Sequence, residues 1–273
     1  MQNSGLKRNT IDKYYTSDKC VKICVELVQK YINIDKQDLC IEPSAGNGAF
    51  IEHIKTLSDH HLFYDIKPDN SEIKKLDYTK FYYKIIKNKY KNIHIIGNPP
   101  FGRQSSLAIK FIKKSCEFCN TLSFILPKSF KKNSLQKHFP LNFHLILQQD
   151  LEKNSFKLNN NDYDVPSVFQ IWIKKEFNRE VPIKLIPNKF KFLKKEIEHD
   201  ISFRRVGGKA GKIDINTIDK SEQSHYFIKF NIPFTNEIYK KLSNIDYSCK
   251  NNTVGPRSIS KQELIKEFNS IIN

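Results

Sequence analysis

Short apolar runs alternate with amphipathic segments along roughly the first 175 residues of the chain. Apolar residues at helical spacing follow a polar Thr-Ser-Asp segment, and this pattern predicts a helix over 16–32. The same spacing predicts helices over 48–57 and 105–118. Strands are predicted over the apolar run that begins at 38 and over 61–66, 92–97, 121–127, 143–149 and 165–175.

The alternation of strands and helices determines the predicted fold class. It indicates a parallel α/β sheet, which binds ligands at the carboxyl ends of its strands. The last two predicted strands are joined by the polar segment 152–164 and not by a helical pattern. These two strands are therefore predicted to form an antiparallel hairpin at one edge of the sheet.

The pattern changes after about residue 178. A basic, glycine-containing segment at 202–212 and helical patterns over 234–245 and 260–272 replace the strand and helix alternation. We therefore predict a catalytic α/β domain over 1–178 and a smaller basic domain, with a possible role in nucleic-acid recognition, over 179–273.

Positive charge is in large excess. The formal net charge is +17, from 46 basic and 29 acidic residues, which favours a polyanionic partner such as nucleic acid. The alternative is the Lys-, Asn- and Ile-rich composition of an AT-rich genome. The excess is uneven, because 101–157 holds ten basic and three acidic residues and 179–273 holds eighteen and eleven.

Membrane and metal partners are not expected. No segment approaches the roughly 20 continuous apolar residues of a membrane helix. The N-terminus lacks the apolar stretch of a signal peptide, so we expect a cytoplasmic protein that is not secreted. Cys116 and Cys119 have metal-ligand spacing, but no second Cys or His pair completes a zinc site. We interpret them as buried hydrophobic residues of a helix.

Three acidic residues follow predicted strands. Glu42 precedes a turn that contains Gly46 and Gly48, where the backbone can approach a ligand closely. The turn lacks the third glycine of the dinucleotide fingerprint, and Glu42 suits a ligand with hydroxyls and an ammonium group better than a pyrophosphate. Asp65 can accept two hydrogen bonds from a ribose diol, and Asp77 one from an adenine amino group. Singly, each Asp is also typical of a helix cap or a turn.

The segments EPSAGNG (42–48), YDI (64–66), LDY (76–78) and GNPPF (97–101), in this order, resemble the signature of S-adenosylmethionine-dependent amino-methyltransferases. The resemblance is closest to N6-adenine-specific DNA methyltransferases. It covers about 8–175 and implies a Rossmann-like class I methyltransferase fold, with a mostly parallel seven-stranded sheet and a terminal antiparallel hairpin.

The same resemblance implies the cofactor and its site. A segment similar to 11–21 closes over S-adenosylmethionine in that family. The cofactor-binding residues that it implies are Tyr15, Thr16, Glu42, Pro43, Ser44, Gly46, Gly48, Asp65, Ile66, Asp77, Tyr78 and Asn98.

The proline pair after the strand 92–97 is the most specific motif. Proline cannot continue a strand ladder, so Asn98, Pro99, Pro100 and Phe101 form a stiff corner. The resemblance makes this corner the catalytic site. Asn98 Oδ1 and the Pro99 carbonyl accept the two N–H bonds of the adenine amine, and Phe101 stacks on a base flipped out of a duplex.

Other substrates share the planar amino group. RNA adenine is the main alternative to DNA, and protein glutamine is a weaker one because only about 40 residues precede the glycine turn. Cytosine N4 enzymes usually carry Ser where this chain has Asn98. A catalytically inactive binding subunit is disfavoured, because every expected motif position is filled.

Basic residues outside the motifs are candidates for nucleic-acid contacts. The candidates are Lys128, Lys131, Lys132, Arg204, Arg205 and Lys209. The segment 202–212 is equally well interpreted as a hairpin turn with incidental charge. We expect a monomer or weak dimer, and the sequence leaves open both the target site and a restriction endonuclease partner.

Overall fold

The computed structural model describes residues 14–158 and 161–272. The chain divides into two compact units, Met1–Val181 and Pro182–Asn273. The division falls three residues after the boundary expected at 178. The roles assigned to the two parts stay predictions.

The first unit alternates strands and helices. Its strands are β1 (Tyr15–Thr16), β2 (Leu39–Glu42), β3 (His60–Asp65), β4 (Lys74–Lys75), β5 (Ile93–Gly97), β6 (Thr121–Pro127), β7 (Phe143–Asp150), β8 (Phe156–Leu158), β9 (Asn161–Tyr163) and β10 (Ser167–Lys174). Its helices are α1 (Asp18–Tyr31), α2 (Ile51–Leu57), α3 (Lys84–Lys87), α4 (Ser106–Cys116) and α5 (Asn133–Gln136). None of the helices in the described part of the chain combines the length and the hydrophobicity that a membrane crossing needs.

Seven strands form one sheet in the order β4-β3-β2-β5-β6-β10-β7. Neighbouring strands from β4 to β6 are parallel, whereas β10 is antiparallel to both β6 and β7. The predicted hairpin is therefore present, with β7 at the edge and β10 as the reversed strand. The predicted Rossmann-like α/β fold, with a mostly parallel seven-stranded sheet and a terminal antiparallel hairpin, is confirmed.

Side chains of alternate direction build a core on each face of this sheet. In β5, Ile95 packs into a cluster with Phe111 of α4, and Ile96 packs into a second cluster with Val21 of α1. All of these side chains are buried. The near-continuous apolar runs of the central strands are explained by helices on both faces. Cys119 is buried in the first cluster, and burial raises the pKa of its thiol well above the usual value.

A three-stranded sheet in the order β1-β8-β9 is the main departure from the expected topology of this unit. The segment 152–164, predicted as a loop, contains β8 and β9. Tyr15 pairs with Lys157, and Thr16 pairs with Phe156. This pairing fixes the segment that precedes α1, although 11–13 and 159–160 lie outside the described residues.

The second unit has its own antiparallel sheet, in the order β11-β14-β12-β13. The strands are β11 (Phe190–Leu193), β12 (Ile201–Arg204), β13 (Ile213–Asp214) and β14 (His225–Phe230), and the helices are α6 (Asn236–Ser243) and α7 (Lys261–Ile272). The two helices were predicted from their apolar spacing, but the strands were not. Phe203, Ile228 and Phe268 of β12, β14 and α7 are fully buried in the core of this unit.

A polar network closes the amino ends of the central strands. The Asp38 carboxylate accepts hydrogen bonds from Asp35 N at 3.0 Å and from Asn92 Nδ2 at 3.0 Å. His94 Nε2 lies 3.1 Å from Asp38 Oδ2, and His94 Nδ1 lies 2.8 Å from Thr121 Oγ1. Burial lowers the pKa of His94 although Asp38 opposes this effect. Burial opposes ionisation of Asp38, but its hydrogen bonds keep its pKa below the usual value.

We expect this network to make the first unit sensitive to mild acid. As the pH falls below about 6.5, the unfolded chain protonates His94 more readily than the folded chain, whose His94 pKa is lowered by burial, so stability falls as the pH falls. The variant His94→Gln should lose up to about 1.4 kcal/mol per pH unit of this dependence. Urea unfolding followed by the fluorescence of Trp172, the only tryptophan and a residue of β10, measures it between pH 5 and 8. Identical pH slopes in the parent and the variant would contradict a neutral buried His94.

Candidate active site

The strand order reverses its direction at the pair β2 and β5. The chain runs outward from β2 through β3 to β4 on one side, and then returns to β5 on the other side. Ile41 of β2 pairs with Ile95 of β5, so Glu42 and Asn98 lie at the adjacent carboxyl ends of these strands. This is the position at which open α/β sheets form a ligand crevice.

Asp65 ties the glycine turn to the end of β3. Its Oδ2 accepts a hydrogen bond from Gly46 N at 2.8 Å, and its Oδ1 accepts one from Lys67 N at 2.8 Å. The backbone adds a bond from Ala45 N to Tyr64 O at 2.8 Å. Each carboxylate oxygen has a second lone pair, so Asp65 shapes the turn and can still accept further hydrogen bonds.

Gly48 is required by the shape of the turn. Its φ of +88° lies in the left-handed region, where side chains are disfavoured. A Cβ atom there would lie 2.7 Å from Ile51 Cδ1 and 2.8 Å from Asn70 Nδ2. The sharp connection from β2 to α2 therefore depends on glycine at this position.

Glu42 is a buried carboxyl group with spare acceptor capacity. The residue is 1% exposed, and its Oε2 has no hydrogen-bond partner among the described residues. Burial, and then the charge of Asp65, raise the pKa of Glu42 well above its usual value. Gly97 makes room for this side chain, because a Cβ atom at Gly97 would lie 3.0 Å from Glu42 Cγ. A cationic group beside Glu42 would remove much of the penalty for its ionisation.

Strand β1 brings two predicted residues to this turn. The Tyr15 ring packs on the turn, with Cε1 3.2 Å from the position that a Cβ atom on Gly46 would take. Its hydroxyl donates a hydrogen bond to the Asp69 carboxylate. Asp69 was missed by the sequence analysis, and its place shortly after Asp65 in the YDIKPD segment was the available signal. Tyr15 therefore packs on the glycine turn, and closure of the segment 11–21 over S-adenosylmethionine stays a prediction.

Asn98 is held on two sides. Its Nδ2 donates a hydrogen bond to Thr16 Oγ1 at 3.1 Å, and its backbone carbonyl accepts one from Ser44 Oγ at 2.8 Å. Asn98 Oδ1 is buried and has no partner among the described residues. Pro99, which follows, is buried as well. The corner therefore presents an oriented acceptor whose hydrogen-bonding capacity is not used by the described residues.

The Phe101 ring is only partly accessible for stacking on a base. It is half-buried and packs against the core cluster that contains Ile96. Its carbonyl accepts hydrogen bonds from Leu107 N at 3.2 Å and Ala108 N at 3.3 Å, which anchors the start of α4. Only the exposed part of its ring is available to a ligand.

The segment after β4 departs from the expected cofactor contacts. Asp77 caps a 3₁₀ turn and accepts hydrogen bonds from Thr79 Oγ1 at 2.7 Å and Thr79 N at 3.1 Å, which lower the pKa of its carboxyl group. Tyr78 is 1% exposed, and its hydroxyl bonds to Ser115 Oγ at 3.0 Å. Its side chain therefore faces the core and not the turn, which corrects the prediction for this residue. Ile66, beside Asp65, is 65% exposed.

Lys128 and Lys131 follow β6 at the same edge of the sheet as Asn98. Their ammonium groups lie 3.0 and 2.9 Å from the Asp150 carboxylate. Partial burial opposes ionisation of Asp150, but the two lysines keep its pKa below the usual value. The two lysines and Asp150 together therefore carry a net charge of +1. Lys132 is half-buried beside it.

The basic segment of the second unit connects β12 to β13 as a hairpin loop. Arg204 N donates to Lys212 O at 2.8 Å, and Gly211 N donates to Arg204 O at 2.8 Å. Arg204 Nε binds Val206 O at 2.8 Å, so its guanidinium group is used partly to hold the loop. Lys209 is exposed. The hairpin interpretation of this segment is thus correct for its backbone, and a nucleic-acid contact stays a prediction.

Comparisons with known proteins found similarities among solved structures alone. No protein-family model matches the chain, and no curated protein matches it significantly. Among solved structures, it is similar to a candidate RNA methyltransferase from Pyrococcus horikoshii, at 14% identity and a TM-score of 0.47 over 63% of this chain and 92% of that one. The 23S rRNA methyltransferase ErmE is similar at 12% identity and a TM-score of 0.44, and the match covers 61% of this chain and 71% of that one.

A type I restriction-modification methyltransferase subunit from Streptococcus thermophilus gives 11% identity and a TM-score of 0.44. The match covers 62% of this chain and 46% of that subunit, so this chain spans less than half of its length. At identities of 11 to 14% and TM-scores below 0.5, neither a substrate nor a partner follows from these similarities.

We expect Asp65→Asn to weaken the first unit. An amide offers one acceptor oxygen where the carboxylate accepts from both Gly46 N and Lys67 N, so one donor loses its partner. The free energy of unfolding should fall by about 1–3 kcal/mol. Asp59→Asn, an identical change at an exposed site between α2 and β3, should stay within about 0.5 kcal/mol of the parent. Urea unfolding followed by Trp172 fluorescence compares them, and equal losses would contradict the assigned role of Asp65.

Proposed function

We propose that the chain transfers a methyl group from S-adenosylmethionine to the N6 amino nitrogen of adenine in nucleic acid, with DNA as the first substrate to test. The observation that carries this proposal is the buried and unpartnered Asn98 Oδ1 at the carboxyl end of β5. A buried acceptor without a partner costs about 1–3 kcal/mol, which suggests that a ligand supplies the missing donor.

Adenine offers a donor of the right kind. Its exocyclic amine is a weak nucleophile because the lone pair is delocalised into the ring. Acceptors at Asn98 Oδ1 and the Pro99 carbonyl would take its two N–H bonds and draw the nitrogen toward tetrahedral geometry. Thr16 and Ser44 hold Asn98 before any ligand arrives, and the two prolines stiffen the backbone. Preorganised acceptors of this kind need little rearrangement during the reaction.

The residues around the glycine turn fit the cofactor. S-adenosylmethionine, when bound, supplies an electrophilic methyl group on a sulfonium. Glu42 has the unused, buried acceptor that an ammonium group would satisfy, and Asp65 keeps lone pairs for a ribose diol. Exposed Ile66 offers an apolar surface beside that carboxylate. Asp77 can contribute an acceptor only from the lone pairs left by its cap.

A neutral Asn at position 98 favours a neutral target amine. In a duplex, adenine must leave the base stack to reach the corner. Lys128 and Lys131 lie at the same sheet edge and would meet the phosphates, at the cost of loosening their pairing with Asp150. These features serve DNA and RNA equally, so RNA adenine remains the second candidate.

Removal of the acceptor should abolish activity. We expect Asn98→Ala to lower kcat by about 10²–10³-fold, because loss of one preorganised polar group at a reacting centre has an effect of this size. The melting temperature should stay near that of the parent. Parental activity in this variant would require a different role for the corner.

Variants of Thr16 test whether the orientation of the Asn98 side chain matters when its acceptor oxygen is still present. Thr16→Val keeps the shape of β1 but removes the group that binds Asn98 Nδ2, so kcat should fall by about 3–10-fold. Thr16→Ser keeps the hydroxyl and should restore most of the activity. Equal losses in both variants would show that Thr16 acts through packing alone.

The substrate is identified by label transfer. Purified protein is incubated with methyl-labelled S-adenosylmethionine and, separately, duplex DNA, single-stranded DNA, RNA or protein, followed by digestion and chromatography. We expect labelled N6-methyldeoxyadenosine from DNA. Labelled N6-methyladenosine would move the assignment to RNA, whereas label on cytosine or on protein would contradict adenine methylation.

A further inference from the structure

The second unit contains a recess of about 270 Å³ at the junction of β11, β14 and the start of α7. Six of its lining residues are Phe192, Leu193, Arg205, Tyr226, Phe227 and Lys261. None of them belongs to the candidate active site. The recess combines aromatic rings with positive charge.

Two rings form its floor. Phe192 of β11 and Tyr226 of β14 have centroids 5.5 Å apart and planes at 76°. Both are half-buried and pack on the core of the unit, whereas Phe190 and Phe203 beside them are buried. The exposed parts of Phe192 and Tyr226 therefore form a rigid apolar surface whose neighbours on the recess side are the Lys261 and Arg205 side chains.

Two cationic side chains lie over these rings. Lys261 Nζ lies 4.7 Å from the Phe192 centroid and 5.6 Å from the Tyr226 centroid. Arg205 Cζ lies 5.5 Å from the Tyr226 centroid. Arg205 is fixed there, because its Nε and Nη2 donate to Gln223 O at 3.2 and 2.8 Å.

Neither cation is neutralised by a carboxylate. Within the described residues, no Asp or Glu oxygen lies within 4.0 Å of Arg205 or Lys261, although Lys212 and Lys220 of the same unit both pair with Asp214. Glu222 also lines the recess, and its Oε1 accepts a hydrogen bond from Lys195 N at 3.1 Å. The recess therefore attracts an anion and disfavours a cationic ligand.

We infer that this recess binds one unstacked nucleotide of the nucleic-acid substrate, with its base on Tyr226 and Phe192 and its phosphate on Lys261 and Arg205. An aromatic floor with cations beside it matches a ligand that joins a planar ring to a phosphate. Paired and stacked bases of a duplex cannot lie on these rings, so the site prefers single-stranded segments. This inference rests on the proposed nucleic-acid substrate, but it concerns a second site.

The test measures binding of fluorescent 12-nucleotide single strands, DNA and RNA, by anisotropy across a salt series. Tyr226→Leu should weaken binding about 5- to 100-fold through loss of stacking, and Tyr226→Phe should bind like the parent. Lys261→Ala should reduce the slope of log affinity against log salt by about 0.7, the value for one phosphate on a single strand. Lys266→Ala, an exposed residue of the same helix outside the recess, is the matched control and should keep the parental slope.

Binding of abasic strands of the same length distinguishes the contribution of base stacking on the rings from that of the positive charges. Tyr226→Leu should bind them like the parent, since no base remains to stack. Equal effects of Lys261→Ala and Lys266→Ala, or parental binding of the normal strand by Tyr226→Leu, would overturn the inference while methyl transfer stands. If the parent binds S-adenosylmethionine but no nucleic acid, this inference and the proposed substrate both fail. Lys261→Ala changes only an exposed side chain, so the test does not depend on the folding of the Tyr226 variants.

Discussion

The parallel pairing of β2 with β5 is the constraint on which the candidate site depends. Since the chain leaves β2 toward one edge of the sheet and returns to β5 on the other side, the connections after these two strands lead away in opposite directions. The glycine turn and the proline corner are 50 residues apart between Gly48 and Asn98, yet strand register makes them neighbours. The hydrogen bond from Ser44 Oγ to the Asn98 carbonyl, which joins the turn to the corner, depends on that register.

Buried polar groups differ in their hydrogen bonding between the amino and carboxyl ends of the central strands. At the amino ends, Asp38 and His94 satisfy one another and their neighbours, and the result is structural. At the carboxyl ends, Glu42 Oε2 and Asn98 Oδ1 are buried without partners in the described residues. Unsatisfied buried acceptors lower stability, and proteins usually retain such groups where function requires them. The buried polar groups described here are thus hydrogen-bonded at the amino ends of the strands, whereas Glu42 and Asn98 each keep an unsatisfied acceptor at the carboxyl ends.

The sequence was informative where a local pattern determined the structure. The strand over 121–127 was predicted with both ends correct, because a buried strand between two turns leaves a continuous apolar run. The turn and the corner were recognised from Gly and Pro, whose backbone preferences do not depend on distant residues. Tyr78 was misassigned because a motif position does not specify which way a side chain points.

Contacts between distant segments could not be read from local patterns. Thr16 was expected near the cofactor, but its bond to Asn98 spans 82 positions and depends on the pairing of β1 with β8. The strands of the second unit were missed as well. These strands are only two to six residues long, so each leaves too short a pattern to identify.

The shortness of β1 has a consequence for how ligands enter and leave. Within the described residues, Tyr15 and Thr16 pair with β8 and Ser17 N bonds to Ser155 O at 2.9 Å, whereas the central strands hold long ladders on both sides. Segments with few backbone hydrogen bonds open at a small fraction of the free energy needed for global unfolding. Detachment of β1 would uncover the glycine turn and release the Asn98 amide in one motion, with the seven-stranded sheet intact. Under the proposed function, product release and resetting of the acceptor would then be a single kinetic event, set by the contacts of β1 and its flanking residues.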